Sequence, residues 1–162
     1  MKLTTLEQAF VEELKDIYSA EQQLLEALPE MVKAASNSEL KAGFKTHLAQ
    51  TKEHVTRIEH VFGLLEEKPT AHTCQAMKGL LKEGKEIIEE DAENNVHDAL
   101  LIAAAQKVEH YEIATYGTLC TWARHLERED IKTVLGQTLA EEEETDKILT
   151  ALAQKSINAK AV

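Results

Sequence analysis

The sequence predicts an all-α protein built as a bundle of long helices, and three observations carry that reading. Alanine, leucine, glutamate and lysine are abundant, aromatic residues make up 4%, and only two prolines and six glycines interrupt 162 residues. Such a composition favours helix over sheet. Apolar residues recur at steps of three and four along four long segments, the mark of helices with one buried face. In three of those segments a glutamate occupies the middle of the apolar stripe, where a leucine would be expected.

The first helix is expected over residues 4–35, opened by a capping box in which Thr4 is followed three residues later by Glu7. Its stripe includes Phe10, Leu14, Ile17, Leu24, Leu28 and Met31, and Glu21 fills the gap between Ile17 and Leu24. Pro29 removes one backbone hydrogen bond and predicts a kink. Ser36-Asn37-Ser38 breaks the pattern, with Ser38 as the expected N-cap of a second helix over 38–65. That helix buries Phe44, Leu48, Thr51, Val55, Ile58 and Phe62. His47 and His54 stand on one shoulder of the stripe, Gln50 lies further round and Glu53 points away. A shorter amphipathic segment, 73–93, ends in a run of acids and asparagines. It is long enough to carry the chain from one end of a bundle to the other.

The third helix is expected over 98–127 with Asp98 as its cap. Its stripe of Leu101, Ala105, Val108, Thr115, Leu119 and Trp122 has Glu112 at its centre and Glu109 at its edge. The fourth helix, over 130–154, repeats the arrangement. Glu142 falls four residues after Thr138 and three before Thr145, with Asp146 on its shoulder. Glu143 and Glu144 face outward, so that Glu142 is the one member of the run 141–144 expected to look inward. Residues 1–155 read as one domain, and the tail 156–162 carries no packing signal and is expected to fray.

A net charge of -11 argues against nucleic acid or an anionic membrane as a partner, since both require basic surface. Cys74 and Cys120 have neither CxxC spacing nor disulfide density and read as free thiols. The first residues lack the apolar core of a signal peptide, and no apolar run approaches membrane-spanning length. A soluble cytoplasmic protein is therefore expected.

Helices joined by a short turn run antiparallel, so residues equally distant from the turn lie at one height. Counting 16 residues back from Asn37 reaches Glu21, and 16 forward falls beside Gln50 and His54. From Arg128 the same count back reaches Glu112, and forward it falls between Glu142 and Asp146. The inward acids and imidazoles are thus expected at one level, roughly 24 Å from each turn at the helical rise. An ionised carboxylate in a core costs several kcal/mol unless compensated. The nearby bases Lys15, Lys52, Arg57, Lys107, Arg124 and Lys147 lie off the inward stripes. Oxygen and nitrogen donors gathered in a bundle core suit two first-row ions such as Fe, Mn or Zn.

Four blocks resemble a known family: Tyr18-Ser19-Ala20-Glu21-Gln22-Gln23-Leu24, His47-Leu48-Ala49-Gln50-Thr51, Ala103–Leu119 and Thr138-Leu139-Ala140-Glu141-Glu142. They are similar to the YciF-like bacterial stress proteins of the ferritin-like superfamily. The resemblance implies a ferritin-like four-helix bundle, two antiparallel hairpins joined by a crossover with an extra helix, assembled as a homodimer. The first functional reading is a di-metal carboxylate centre of Fe or Mn, two ions per chain, with oxidation of ferrous iron or removal of peroxide as its oxidoreductase chemistry. Glu21 and Glu112 match the single-glutamate positions of the ferritin-like pattern. That pattern adds a Glu-x-x-His from each of two helices, yet this chain contains no such tetrapeptide. The second helix offers Gln50 where the family has glutamate, with His47 or His54 beside it, and the fourth offers Glu142 with Asp146. The candidate metal ligands are Glu21, His47, Gln50, His54, Glu109, Glu112, Glu142 and Asp146. Tyr111 and Tyr116 flank their level, with ordinary packing as the plainer role. The alternative is a non-catalytic dimeric stress protein whose metal site is degenerate or empty.

Overall fold

The computed structural model describes residues 2–162. Five long helices follow one another: α1 (Leu6–Ala34), α2 (Ser38–Leu64), α3 (Gln75–Ile88), α4 (Asn94–His125) and α5 (Glu129–Leu152). A π turn over Ala153–Ile157 and a short α6 (Asn158–Lys160) complete the chain, with no strand among the described residues. Short turns make hairpins of α1 with α2 and of α4 with α5. α2 packs on α5, α1 packs on α4, and α3 lies over the edge between α1 and α4. This is the ferritin-like four-helix bundle with an added crossover helix.

Local chemistry sets the ends of the elements. Thr5, one residue beyond the expected Thr4, caps α1: its hydroxyl accepts from the Gln8 amide at 3.2 Å, and the Gln8 side chain accepts from the Thr4 amide at 2.8 Å. Gln8 thus plays the part expected of Glu7. α2 is capped by Asn37 rather than Ser38, its Oδ1 accepting from the amides of Glu39 and Leu40. α2 and α4 end alike. Glu66 and Glu127 adopt left-handed backbone (φ 56° and 57°), and the next amides return to Phe62 O and Ala123 O. This wrapping satisfies carbonyls that a helix end leaves open.

Two expectations at chain junctions are corrected. Asp98 does not cap α4, which begins four residues earlier at Asn94. It is buried, and its two carboxylate oxygens accept from the amides of Ser36 and Asn37 at 2.8 and 2.7 Å. One acid on α4 thereby fastens the α1–α2 turn. The tail does not fray throughout either. Ile157 lies five residues after Leu152, the spacing of a π turn, and is only 2% exposed.

Two apolar clusters form the core. Phe10, Leu14, Ile58, Phe62, Leu119 and Leu135 belong to the larger. Leu40, Phe44, Leu101, Leu149, Leu152 and Ile157 belong to the second. On α2 and α5, and on α4 apart from Asp98, the buried polar residues fall between the two.

Candidate metal centre

Six titratable side chains converge in that polar layer. Glu21 comes from α1, His47 and His54 from α2, Glu109 and Glu112 from α4, and Glu142 from α5; each is at most 2% exposed. The spacing explains their meeting. His47 and His54 stand seven residues apart, two turns on one face, and Glu109 and Glu112 stand one turn apart. Their donor atoms form two overlapping groups, one of His47, Glu109, Glu112 and Glu142, the other of Glu21, His54 and Glu142. Within each group the atoms lie within 4.8 Å of one another. Glu142 is common to both.

Hydrogen bonding does not account for this arrangement. His54 Nδ1 lies 3.0 Å from Glu142 and 3.3 Å from Glu21, and His47 Nε2 lies 3.2 Å from Glu109. These are ion-pair distances without hydrogen-bond alignment. Nine buried side-chain atoms among the described residues have no hydrogen-bond partner, and all nine belong to these six residues. Both oxygens of Glu112, both of Glu142 and both nitrogens of His47 are among them. Leaving a single buried polar group unpaired costs about 1–3 kcal/mol.

The residues around the cluster orient it. Tyr116, fully buried, donates its hydroxyl proton to Glu21 Oε1 at 2.5 Å, while Oε2 has no hydrogen-bond partner. His54 Nε2 pairs with Glu141 Oε2 at 2.8 Å, which turns Nδ1 inward. Arg57 grips both oxygens of Glu141, at 2.7 and 2.9 Å. Sequence reasoning missed Glu141 and Arg57. The periodicity does not turn Glu141 inward, and it stands at the edge of α5, where a base from α2 reaches it.

Burial opposes charge throughout this layer. It raises the Glu21 carboxyl above the ordinary range, although His54 and Tyr116 act against it. It raises Glu109 and Glu112 well above that range, and neighbouring carboxylates add to the effect. His47 is lowered by burial. Burial also disfavours protonated His54, but the carboxylates of Glu142 and Glu21 outweigh it and push that imidazole up to about 10. Burial likewise works to raise Glu142, and the two imidazoles nevertheless hold it below its usual value. The result is a buried layer with acid in excess of base, four carboxyls against two imidazoles.

Gln50 and Asp146 stand apart from the six. Gln50 is half-buried in the wall of a cavity beside His47 and Glu109. Asp146 is held elsewhere: it accepts from Gln106 Nε2 and pairs with His110, both at 3.1 Å. Glu53, Glu143 and Glu144 are exposed, as the periodicity requires. Tyr111 points away from the cluster. Its hydroxyl donates to Asp16 at 2.6 Å and touches Cys74 Sγ at 3.0 Å.

Fold and core together define a class: ferritin-like bundles with a buried carboxylate–imidazole layer between two apolar clusters. The family described as "Domain of unknown function (DUF892)" matches residues 5–162, and the chain belongs to it. Protein YciF of Escherichia coli K12 is 46% identical over 162 residues, covering 99% of this chain and 98% of that protein. The crystal structure described as the E. coli stress protein YciF superposes with a TM-score of 0.92 at 45% identity, covering 96% of this chain and 99% of that one. YcfI of Rhodopseudomonas palustris superposes with a TM-score of 0.89 at 42% identity, covering 92% and 95%. A Xanthomonas campestris protein at 20% identity and TM-score 0.75, covering 96% of each chain, shares the fold. No helix among the described residues is long and apolar enough to cross a membrane.

Proposed function

We propose that this stress-protein homologue holds two first-row metal ions, iron or manganese, in the polar layer of its bundle. The observation that carries the reading is the convergence of nine unpartnered buried donor atoms on six residues from four helices. A buried cluster so poorly hydrogen-bonded is accounted for if cations supply the missing partners. The chemistry of the donors fits. Carboxylates with one or two imidazoles make an oxygen and nitrogen donor set that suits iron and manganese. His47, Glu109 and Glu112 would serve one ion, Glu21 and His54 the other, with Glu142 between them. Glu141 and Tyr116 would fix the orientation of His54 and Glu21, the part that outer partners play around metal ligands.

Bound there, such a pair supplies one-electron steps suited to ferrous iron, oxygen or peroxide. The chain's own residues hold the donors without lysine or arginine in the layer and give up protons as cations enter. The test is aerobic oxidation of added ferrous iron, or loss of peroxide, by wild type and by Glu112→Ala. Activity in the wild type and its loss in the variant support the proposal. Equal rates leave a non-catalytic bundle as the better reading.

A further inference from the structure

A cavity of about 760 Å³ runs beside the polar layer, in the size range of small-molecule sites. Its exposed lining residues fall in two places: Glu26, Glu30, Lys78, Lys82 and Lys85 on α1 and α3 with Glu89 just after α3, and Thr46, Glu144 and Ile148 on α2 and α5. α3 covers the α1–α4 edge and α2–α5 is the opposite edge. The cavity therefore crosses the bundle and opens on both sides.

Protein interiors hold few voids larger than a water molecule, so this one has a cause in the sequence. Ala27, Gly43, Gly84, Ala104 and Ala105 line it where larger residues would close it. A Cβ added at Gly43 or Gly84 meets nothing within 4 Å. Its deep wall is apolar, formed by Leu24, Leu28, Met31, Phe44, Val108 and Leu149. His47 and Glu109 interrupt that wall, and His47 Nδ1 and Nε2 and Glu109 Oε2 lack hydrogen-bond partners.

The two mouths differ in charge. At the α1–α3 mouth Glu30 pairs with Lys33 and Lys85 with Glu89. Lys78 and Lys82 are left outside any ion pair among the described residues, with Glu26 the one other unpaired charge. The α2–α5 mouth carries Glu144 and no lysine. An anionic head group has a place at the first mouth and none at the second.

We propose that this cavity binds a single-chain aliphatic carboxylate, its head group at Lys78 and Lys82 and its chain running inward past His47 and Glu109. The inference does not depend on the metal reading, because the cavity, and not an ion, does the binding.

The experiment uses full-length protein treated with chelator, a fluorescent polyene fatty acid as probe, and dodecanoate or dodecanol as competitors. Saturable binding of one probe per chain is expected. Gly84→Leu should weaken it about tenfold by filling the passage. The double variant Lys78→Glu/Lys82→Glu should weaken dodecanoate about tenfold and leave dodecanol unchanged. Circular dichroism melts verify that each variant is folded; should Gly84→Leu not fold, Ala104→Leu takes its place. Three results overturn the proposal: no saturable binding, a filled-cavity variant that binds as the wild type does, or lysine variants that lose dodecanol as much as dodecanoate. Iron loading measured on the same samples separates the two ideas. Intact loading without fatty-acid binding refutes only this one.

Discussion

Glu112→Leu should make the metal-free protein more stable while abolishing metal uptake. Glu112 is fully buried, and neither of its carboxylate oxygens has a hydrogen-bond partner. Burial and three neighbouring carboxylates hold its pKa well above the ordinary range, so the fold bears either a proton or an unfavourable charge there. Two unsatisfied buried oxygens at about 1 kcal/mol each give a gain of about 2 kcal/mol on their removal. Replacing buried charged groups with apolar residues of similar volume stabilises other proteins by about 1–4 kcal/mol. For a chain of this length that is a rise in Tm of roughly 4–8 °C. The assay is a circular dichroism melt at neutral pH with chelator, followed by a ferrous or manganous titration. Glu112→Gln, which keeps shape and removes charge, should fall between wild type and the leucine variant. A loss of more than about 1 kcal/mol in the metal-free leucine variant would refute the reasoning, since Glu112 would then be a structural partner of its neighbours.

Metal and protons should compete for the layer. Glu109 and Glu112 are raised in the fold, so their contribution to metal-free stability is present below their ordinary 4.5 and is lost as pH climbs through the raised values. His54 acts in the same direction: its contribution is present below its ordinary 6.5 and is lost as pH approaches about 10. The gap in Tm between manganese-loaded and chelated protein should therefore widen from about pH 5.5 to about pH 8, and a flat or narrowing gap counts against the account. Asp98→Ala removes the buried carboxylate that accepts from the Ser36 and Asn37 amides and leaves both donors unpaired. It should cost about 3 kcal/mol by urea denaturation, with Asp98→Asn losing about half of that. Glu127→Gly places glycine at a left-handed position and should stabilise by about 0.5–1 kcal/mol, read as a shift of the urea midpoint at constant slope.

The bundle was legible because its signal is repeated. Four stripes of three-and-four spacing leave little freedom in how the helices pack, and gaps filled by Glu21, Glu112 and Glu142 point to one depth in the core. His47 and His54 were legible by their two-turn separation. What the sequence hid depends on contacts between elements. Asp98 resembles any N-cap acid until the α1–α2 turn is seen resting on it. Glu141 lies just off the inward face of α5, and only the approach of Arg57 and His54 from α2 gives it a role. Asp146 has the right helical position, but Gln106 and His110 on α4 draw its carboxylate away. Gln50 occupies its expected level and faces a cavity. That cavity itself is made of side chains that are not there. Ala27, Gly43, Gly84, Ala104 and Ala105 read in a sequence as close packing and in space as a passage.

The central claim is that the polar layer exists to hold metal. Its most direct test is elemental analysis of protein purified without chelator or affinity tag, beside the Glu21→Ala/Glu112→Ala double variant. The account predicts close to two iron or manganese ions per chain in the wild type and their loss in the variant. A wild type that carries no such metal and takes up neither added ion would contradict it.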